Sequence, residues 1–379
     1  MELFEGVNSR EEWLVAKADV MNLPIGGTME LLPMCNMDCR MCYIRMTKAE
    51  MEYHGRMLSC DEWLSIAQKA KDAGVLFLLL TGGEPLMFPE FKRLYTALTD
   101  MGFILTLNTN GTLIDEEMAD LFAQRPCRRI NITLYGKDDA TYGDLCRNPQ
   151  GFTQVMNAVR LLKAREVPFR FNFTCTPYNL DQLPELYELS RELGVPMAHS
   201  VYVFPPTRRD QDCDAIERLS PQRCGEAFLV GAAAKNPQIP LEAMAAPSLA
   251  PLREPVHSHA AGYNCRAGRS GFWINWKGEL LACGMFNEPK ESLLEQDFTA
   301  AWKKISAAFR ALPVCQDCEH CSKRNLCKVC PAACYTETGS TEGRPEYLCR
   351  TTDAMIELIL PYLPEAEQAA YRALLEQAE

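Results

Sequence analysis

Three cysteines with the spacing C-x3-C-x2-C, Cys35, Cys39 and Cys42, are the residues most able to do chemistry. Three thiolates can hold three corners of a cubic iron–sulfur cluster, whereas a cluster held entirely by protein takes four cysteines. The open corner would let one iron bind another molecule, as catalytic metal sites do. The alternative is a zinc site with His54 as its fourth ligand, since three cysteines and a histidine also hold zinc. The spacing alone leaves both interpretations open.

A second group of cysteines lies between Cys265 and Cys349 and contains nine of the 18 in the chain. Its centre is C-x2-C-x5-C, formed by Cys318, Cys321 and Cys327. Taken alone, paired cysteines two residues apart favour a zinc ribbon. The six other cysteines are scattered, and we interpret them as small buried hydrophobic residues: Cys60, Cys127, Cys146, Cys175, Cys213 and Cys224.

The elements that must position these residues follow from the hydrophobic pattern. Six short apolar runs predict strands, and the amphipathic stretches between them predict helices. The strands are expected at residues 28–32, 75–80, 104–108, 129–134, 169–174 and 200–204, and the helices at 59–73, 89–101, 115–123, 152–165 and 181–193. This alternation predicts an α/β fold, a partial (β/α)6 barrel of parallel strands, in which chemistry lies at the C-terminal ends of the strands.

The chain divides into five predicted regions. Residues 1–27 form an N-terminal extension with a helix around 9–20, and residues 28–204 form the partial barrel. A proline-rich connector with one helix near 221–235 covers 205–262, a cysteine-rich domain covers 263–350, and a helical tail covers 351–379.

Polar motifs follow the predicted strands in order. Gly82, Gly83, Glu84 and Pro85 come directly after the second strand. Two glycines allow a backbone to approach a ligand closely, and a carboxylate beside them can pair with an ammonium group. Further polar residues end or follow the later predicted strands: Asn108, Asn110, Thr133 and Arg147. Each alone is more often turn chemistry than a ligand contact, but their recurrence after successive strands makes coincidence an unsatisfactory explanation.

Together the three-cysteine motif and the Gly-Gly-Glu-Pro motif resemble the radical S-adenosylmethionine (SAM) superfamily. The resemblance implies that Cys35, Cys39 and Cys42 hold a [4Fe–4S] cluster whose open iron binds SAM. One electron then cleaves SAM to a 5′-deoxyadenosyl radical, which abstracts hydrogen from an unreactive C–H bond. It also implies SAM contacts from Gly82, Gly83, Glu84, Pro85, Asn108, Asn110, Thr133 and Arg147. One departure is Met41, where the family commonly has an aromatic residue.

The second cysteine group is similar to the SPASM extension of this superfamily, which binds auxiliary [4Fe–4S] clusters. By analogy, an outer cluster would use Cys318, Cys321, Cys327 and Cys349. An inner cluster would use Cys265, Cys283 and either Cys330 or Cys334, because the usual pattern places its next cysteine at position 331, between them. Cys315 is an addition to the pattern.

Enzymes that combine these two domains usually modify peptides or proteins, so the resemblance implies a peptide or protein substrate and a product such as a thioether or carbon–carbon crosslink. Radical oxidation or rearrangement of a small-molecule metabolite is the alternative, and a non-catalytic zinc-binding scaffold is the alternative from another class. Gly284 stands where sulfatase maturases tend to carry an aspartate base, which disfavours that reaction. The 27 residues before the first strand are too few for a leader-binding domain.

Candidate substrate-facing residues lie near the end of the sixth predicted strand: His199, Tyr202, Arg208, Arg209 and Asp210. His257 and His259 are interpreted as loop residues. The net charge of −11 argues against a nucleic-acid partner. There is no apolar run of about 18 residues and no signal-peptide start, so we expect a cytoplasmic, oxygen-sensitive enzyme without a membrane partner. The family implies a reductant such as flavodoxin or ferredoxin.

Overall fold

The structure is a computed structural model that describes residues 9–206, 217–254, 265–327 and 329–376. The strands within these residues are Gly26–Glu30 (β1), Phe77–Thr81 (β2), Ile104–Thr109 (β3), Arg129–Leu134 (β4), Phe169–Thr174 (β5), Met197–Ser200 (β6), Gly271–Ile274 (β7), Glu279–Leu281 (β8) and Glu291–Ser292 (β9). The helices are Arg10–Met21 (α1), Lys48–His54 (α2), Cys60–Asp72 (α3), Phe91–Asp100 (α4), Glu116–Gln124 (α5), Asp139–Cys146 (α6), Gly151–Ala164 (α7), Leu183–Leu193 (α8), Pro221–Lys235 (α9), Leu241–Leu249 (α10), Phe298–Arg310 (α11), Gln316–Glu319 (α12), Pro331–Thr338 (α13), Glu346–Ile359 (α14) and Glu365–Glu376 (α15).

The first six strands are parallel and lie side by side in chain order, which confirms the predicted α/β fold with a partial barrel. The full order is β6-β5-β4-β3-β2-β1-β7-β8-β9, so among the described strands the sheet does not close on itself. β7 pairs in parallel with β1, and β8 and β9 continue in antiparallel fashion. The cysteine-rich region therefore begins by extending the barrel sheet, which the sequence pattern did not indicate.

The sixth predicted strand, at residues 200–204, is wrong. β6 runs from Met197 to Ser200, because its pairing with β5 places Met197 beside Phe171 and Ser200 beside Thr174. The apolar run that follows leaves the sheet and reaches the C-terminal region, where the Tyr202 hydroxyl donates to Glu337 Oε1 at 2.8 Å. Packing against that region, rather than strand pairing, explains its apolar character.

The helices of the connector and tail agree only in part with those predicted from the sequence. α9 has the predicted bounds, but α10 was not expected because it contains Pro247. α2 and α6 are short helices that the pattern also missed. α14 crosses the boundary between residues 350 and 351, where the predicted tail begins, and packs against α9.

The two faces of the barrel strands have different environments. On β5, Phe171 and Phe173 are buried in the core shared with the surrounding helices. The alternate residues Arg170, Asn172 and Thr174 point to the other face and are only half-buried. Side chains of a strand alternate between its two faces, so this second face lines the barrel interior. The inner face of β5 is therefore less buried than its core face, and the space that the inner faces of the strands enclose is called the chamber.

A buried ion pair joins the chain just before α9 to α13. Arg218 donates to Glu337 through both terminal nitrogens, at 2.6 and 2.9 Å. The two side chains are only 13% and 7% exposed. The Arg218 guanidinium also lies 3.7 Å from the centre of the Tyr347 ring. This contact fixes the exit of the barrel against the cysteine-rich region.

Replacement of Glu337 by Ala should leave Arg218 buried and unpaired, which costs about 3–5 kcal/mol of unfolding free energy. The matched control is Glu52→Ala, which removes the exposed partner of Lys48 at 3.7 Å and should cost about 0–1 kcal/mol. Urea unfolding followed by circular dichroism measures both losses. Equal losses in the two variants would contradict the structural role of this pair.

Candidate active site

The cysteine loop (residues 35–42) follows β1 and is fixed on the C-terminal end of α6. The Asp38 amide donates to the Cys146 carbonyl at 3.0 Å. Arg40 Nε donates to the Asp144 carbonyl at 2.8 Å. The last carbonyls of a helix have no partner inside the helix, so the loop supplies the missing donors. The position of the loop therefore depends on a helix that the sequence pattern did not predict.

The three thiols of the loop form no disulfide bonds and lie in a partly buried setting. Cys39 is buried, and Cys35 and Cys42 are half-buried. The Met37 amide donates to Cys35 Sγ at 3.4 Å, and the Arg45 amide donates to Cys42 Sγ at 3.3 Å. Backbone donors of this kind stabilise thiolate ligands of an iron–sulfur cluster.

The protonation of these thiols depends on what they bind. Burial raises the pKa of Cys35 to about 12. The neighbouring Cys146 thiol and then burial raise the pKa of Cys39 well above its usual value, and the Tyr135 hydroxyl acts in the opposite direction. Such thiols lose their protons at neutral pH only when a metal cation compensates the charge. Cys146 is buried as expected, but it also lies beside this ligand.

The glycine turn (residues 81–85) packs directly against the chain that enters the cysteine loop. The Gly83 amide donates to the Leu32 carbonyl at 2.7 Å. A Cβ atom at Gly82 would lie 2.4 Å from the Leu32 oxygen, and one at Gly83 would lie 2.2 Å from the Met34 oxygen. Only glycine allows the two backbones to come this close.

Glu84 is fully buried and joins the ends of β2 and β3. Its carboxylate accepts hydrogen bonds from Thr109 Oγ1 at 2.7 Å, the Asn110 amide at 2.8 Å and the Leu86 amide at 3.1 Å. Burial raises the pKa of Glu84 to about 7, against the effect of these three donors. A cationic group beside the carboxylate would favour its ionised form.

Asn110 connects the same edge to the cysteine loop. Its side-chain amide donates to Asn36 Oδ1 at 2.9 Å and lies 3.7 Å from Cys35 Sγ. Asn36 in turn donates to Thr112 Oγ1 at 2.9 Å. Asn36 and Thr112 were not identified from the sequence, because only the fold brings residues 76 positions apart into contact.

The other predicted SAM residues lie around this edge of the sheet. Pro85 is buried and begins a short 3₁₀ turn. Asn108 accepts a hydrogen bond from Asn131 Nδ2 at 2.7 Å on the inner face, and Thr133 lies half-buried on that face. Arg147 ends α6 with a left-handed backbone (φ 58°), next to the helix end that supports the cysteine loop, and its side chain is exposed.

The predicted outer cysteines line a single cavity. Cys318, Cys321, Cys327 and Cys349 all face a space of about 850 Å³ between the cysteine-rich segment and α14. Burial raises the pKa of Cys349, and the adjacent Arg344 guanidinium lowers it. A cationic donor beside the thiol is suited to an anionic cluster ligand.

The predicted inner cysteines are divided between two contact groups. Cys283 and Cys330 pack against one small cluster with Met285, Phe286 and Ala332, and Tyr43 from just beyond the cysteine loop packs there too. Cys265 packs instead against a second cluster, formed by Cys315, Cys318 and Cys334. Burial raises the pKa of Cys330, and the Cys265 thiol contributes to this rise. The structure thus brings Cys330 close to both Cys265 and the environment of Cys283.

Two candidate substrate-facing residues make contacts within the protein. His199 lies between β6 and the outer helices, where Tyr187 is hydrogen-bonded to its Nδ1 at 2.7 Å, and its ring fills the space beside Gly231. Tyr202 is held by Glu337. The prediction for His199 as a substrate contact is therefore wrong, since its side chain lies on the outer face of β6, and the prediction for Tyr202 stays a prediction. Other predictions fall outside the described residues: Arg208, Arg209, Asp210, Cys213, His257 and His259.

The zinc alternative has little geometric support in the described part of the chain. His54 ends α2 with an exposed side chain. Among the described residues, no three histidine, cysteine or acidic side chains are close enough to hold a single metal ion.

Gly284 lies so close to Trp273 that a Cβ atom would be 2.6 Å from its ring, so an aspartate would not fit there without rearrangement.

Comparison with known proteins identifies a domain of this chain. Residues 29–190, which contain the cysteine loop and the glycine turn, match the model of the radical SAM superfamily. These residues form a radical SAM domain. This protein is 25% identical to an AdoMet-dependent heme synthase of Methanosarcina barkeri, over 84% of this chain and 94% of that protein. The same identity relates it to a heme synthase of Nitratidesulfovibrio vulgaris, over 82% and 88%.

The solved structures similar in fold have peptide ligands in some cases. Streptococcus suis SuiB bound to precursor peptide SuiA has a TM-score of 0.66 at 18% identity. The match covers 91% of this chain and 82% of the SuiB chain. The enzyme anSMEcpe with bound AdoMet has a TM-score of 0.66 at 15% identity, over 89% and 97%. At these identities the likeness establishes the radical SAM fold alone. None of the described helices is both long and apolar enough to cross a bilayer.

The residues present fit the cofactors that this family implies. A radical SAM domain implies a [4Fe–4S] cluster and SAM, and here three buried or half-buried thiols share one loop. The backbone crossing at the glycine turn and the buried Glu84 carboxylate lie directly beside that loop. Three thiols next to an isolated carboxylate match a cluster with one open iron and a ligand that carries an ammonium group.

Replacement of Gly83 by Ala should displace the cysteine loop, because the added methyl group overlaps the Met34 carbonyl. We expect the rate of SAM cleavage by the reconstituted enzyme to fall at least roughly tenfold. This corresponds to an activation free energy about 1.4 kcal/mol higher, because the cluster and SAM would no longer be correctly positioned. The matched control is Gly143→Ala in α6, where the nearest atom would lie at an ordinary 3.6 Å. Chromatographic measurement of 5′-deoxyadenosine tests both, and an unaffected Gly83 variant would contradict the proposed packing role.

Proposed function

We propose that this radical SAM enzyme oxidises its substrate through SAM-derived radical chemistry and carries two auxiliary [4Fe–4S] clusters in its C-terminal region. The observation that carries the proposal is the buried Glu84 carboxylate beside a loop of three cysteines that form no disulfide bonds. Bound together, the cluster and SAM would supply a 5′-deoxyadenosyl radical able to abstract hydrogen from a C–H bond.

The residues of the glycine turn would bind and orient SAM. Glu84 would accept hydrogen bonds from the SAM ammonium group, while Gly82 and Gly83 keep the backbone close to it. Asn110, which already contacts Asn36 and lies near Cys35, would fix the cysteine loop relative to the nucleoside. The other SAM contacts are proposed to come from Pro85, Asn108, Thr133 and Arg147.

The auxiliary clusters are assigned from the packing of the C-terminal cysteines. The shared cavity supports Cys318, Cys321, Cys327 and Cys349 as ligands of the outer cluster. The packing beside Cys283 and the proximity to Cys265 support Cys330, rather than Cys334, as an inner ligand. Cys334 is fully buried with Cys315 and is proposed to pack beneath the outer cluster.

Tyr43 supports an electronic connection between the two regions. It follows the cysteine loop by one residue and packs on the same cluster as Cys283 and Cys330. An auxiliary cluster placed there could accept the electron that remains when a substrate radical is oxidised. A flavodoxin or ferredoxin is the proposed source of the initiating electron.

A small-molecule substrate is the first candidate. It is supported by relatives over more than four fifths of the chain that are AdoMet-dependent heme synthases. A peptide is the second candidate, supported by SuiB and anSMEcpe, which share the fold and were solved with bound peptides. Turnover of a free metabolite without a peptide would favour the first, and a mass change in a peptide would favour the second.

Replacement of Cys35, Cys39 and Cys42 together by Ala should abolish SAM cleavage but leave about eight iron atoms per chain, the content of two [4Fe–4S] clusters. The matched variant replaces Cys318, Cys321, Cys327 and Cys349 and should also leave about eight. It should keep its SAM cleavage. Iron analysis and 5′-deoxyadenosine formation after anaerobic reconstitution test both. Zinc in place of iron, or full SAM cleavage by the triple variant, would refute the proposal.

A further inference from the structure

The barrel interior contains two arginines that face the same polar residue. Asn131 Oδ1 accepts hydrogen bonds from Arg129 Nε and from Arg170 Nε, each at 2.9 Å. Asn131 is buried, with 6% exposure, and both arginines are half-buried. Two guanidinium groups therefore converge on one carbonyl oxygen inside the chamber.

These two positive charges have no acidic partner among the described residues. The inward-facing positions of β2 to β6 carry no aspartate or glutamate. The Glu11 carboxylate attracts Arg129 electrostatically, but its ion pair is formed with Arg128, at 2.6 Å. Burial lowers the pKa of Arg129, and the nearby Arg170 and Arg128 guanidinium groups lower it further.

A simple structural role for the pair is a poor explanation. Two like charges beside one acceptor repel each other, and no carboxylate on the inward-facing positions of β2 to β6 offsets this repulsion. Each arginine uses only Nε in this contact, so the terminal nitrogens of both forks stay available as donors. Paired arginine forks match the planar geometry of a carboxylate better than a single cation does.

The position of the pair is suited to a substrate rather than to SAM itself. Arg129 begins β4 four residues before Thr133, and Arg170 lies in register with Asn131, two residues before Thr133. At about 3.3 Å per residue, the backbones of Arg129 and Arg170 therefore lie about 13 Å and about 7 Å below Thr133, a proposed SAM contact, on the inner face. A group that reaches this level must extend down into the chamber.

We propose that Arg129 and Arg170 form a binding site for a carboxylate group of the substrate, held on the floor of the barrel below SAM. The inference rests on the proposed function, and it narrows the substrate to a small molecule with a carboxylic acid arm. Asn131 holds the two guanidinium groups in place, and the rest of the substrate would extend from them toward the C-terminal ends of the strands.

The test measures binding of succinate to the reconstituted enzyme with saturating SAM, from the dependence of the melting temperature on succinate concentration at constant ionic strength. Succinamide, the neutral diamide, and inorganic phosphate are the comparison probes. Succinate should bind most tightly. Its apparent Kd should rise at least roughly tenfold in the double variant Arg129→Gln/Arg170→Gln, because charged hydrogen bonds are lost. Gln keeps a donor for Asn131, and Arg129→Lys/Arg170→Lys should recover part of the affinity.

The matched control is Arg160→Gln/Arg223→Gln, which removes two exposed charges elsewhere and should leave succinate binding unchanged. Equal succinate binding by wild type and the Arg129/Arg170 double variant would overturn the proposal, as would equal binding of succinamide or tighter binding of phosphate. A tenfold loss of SAM affinity in that variant would also overturn it, because the pair would then hold the SAM carboxylate. Failure of the wild type to cleave SAM would refute the proposed function separately, without affecting the succinate measurement.

Discussion

The hydrogen bonds of the buried Glu84 carboxylate are the interaction on which the rest of the site depends. They connect the turn after β2 to the turn after β3, and the Glu84 amide itself donates to the Met34 carbonyl at 2.9 Å, just before the cysteine loop. Burying a carboxylate away from solvent costs free energy unless hydrogen-bond donors surround it. Here three donors hold it, and its pKa near 7 leaves it poised to ionise beside a cation.

The scaffold around this contact explains why the chemistry can be confined. Outward-facing residues such as Phe171 fill the core under the helices, so the barrel does not need its interior for stability. The inner face is free to carry Asn108, Asn131 and the two arginines. β7 then extends the sheet from β1, and Trp273 Nε1 on β7 donates to the buried Glu30 at 2.8 Å. The C-terminal cysteines are thereby attached to the edge of the sheet next to the cysteine loop.

Much of this arrangement was accessible from the sequence. Five of the six barrel strands lie close to their predicted bounds, because each is a short apolar run between turn residues. The cysteine loop and the glycine turn were found because their residue types and spacing are local. The sixth strand was misplaced because the apolar residues after Ser200 pack against the C-terminal region. Such tertiary contacts leave no periodic pattern in the sequence.

The features that the sequence did not indicate depend on contacts between residues that are far apart in the chain. The support of the cysteine loop by α6, the contact of Cys146 with Cys39 and the convergence of Arg129 and Arg170 on Asn131 join residues from separate elements. The same limit applied to the substrate contacts, where His199 was chosen for its position in the chain although its side chain points to the outer helices.

The measurement that tests the account most directly is the electron paramagnetic resonance spectrum of the dithionite-reduced enzyme, recorded during titration with SAM. If the open iron of the cysteine loop binds SAM beside Glu84, the cluster signal should change as SAM is added. Glu84→Gln should then require roughly tenfold more SAM for the same change, the effect of losing one charged hydrogen bond. A signal that SAM leaves unaltered, or an unchanged SAM requirement in the variant, would contradict the account.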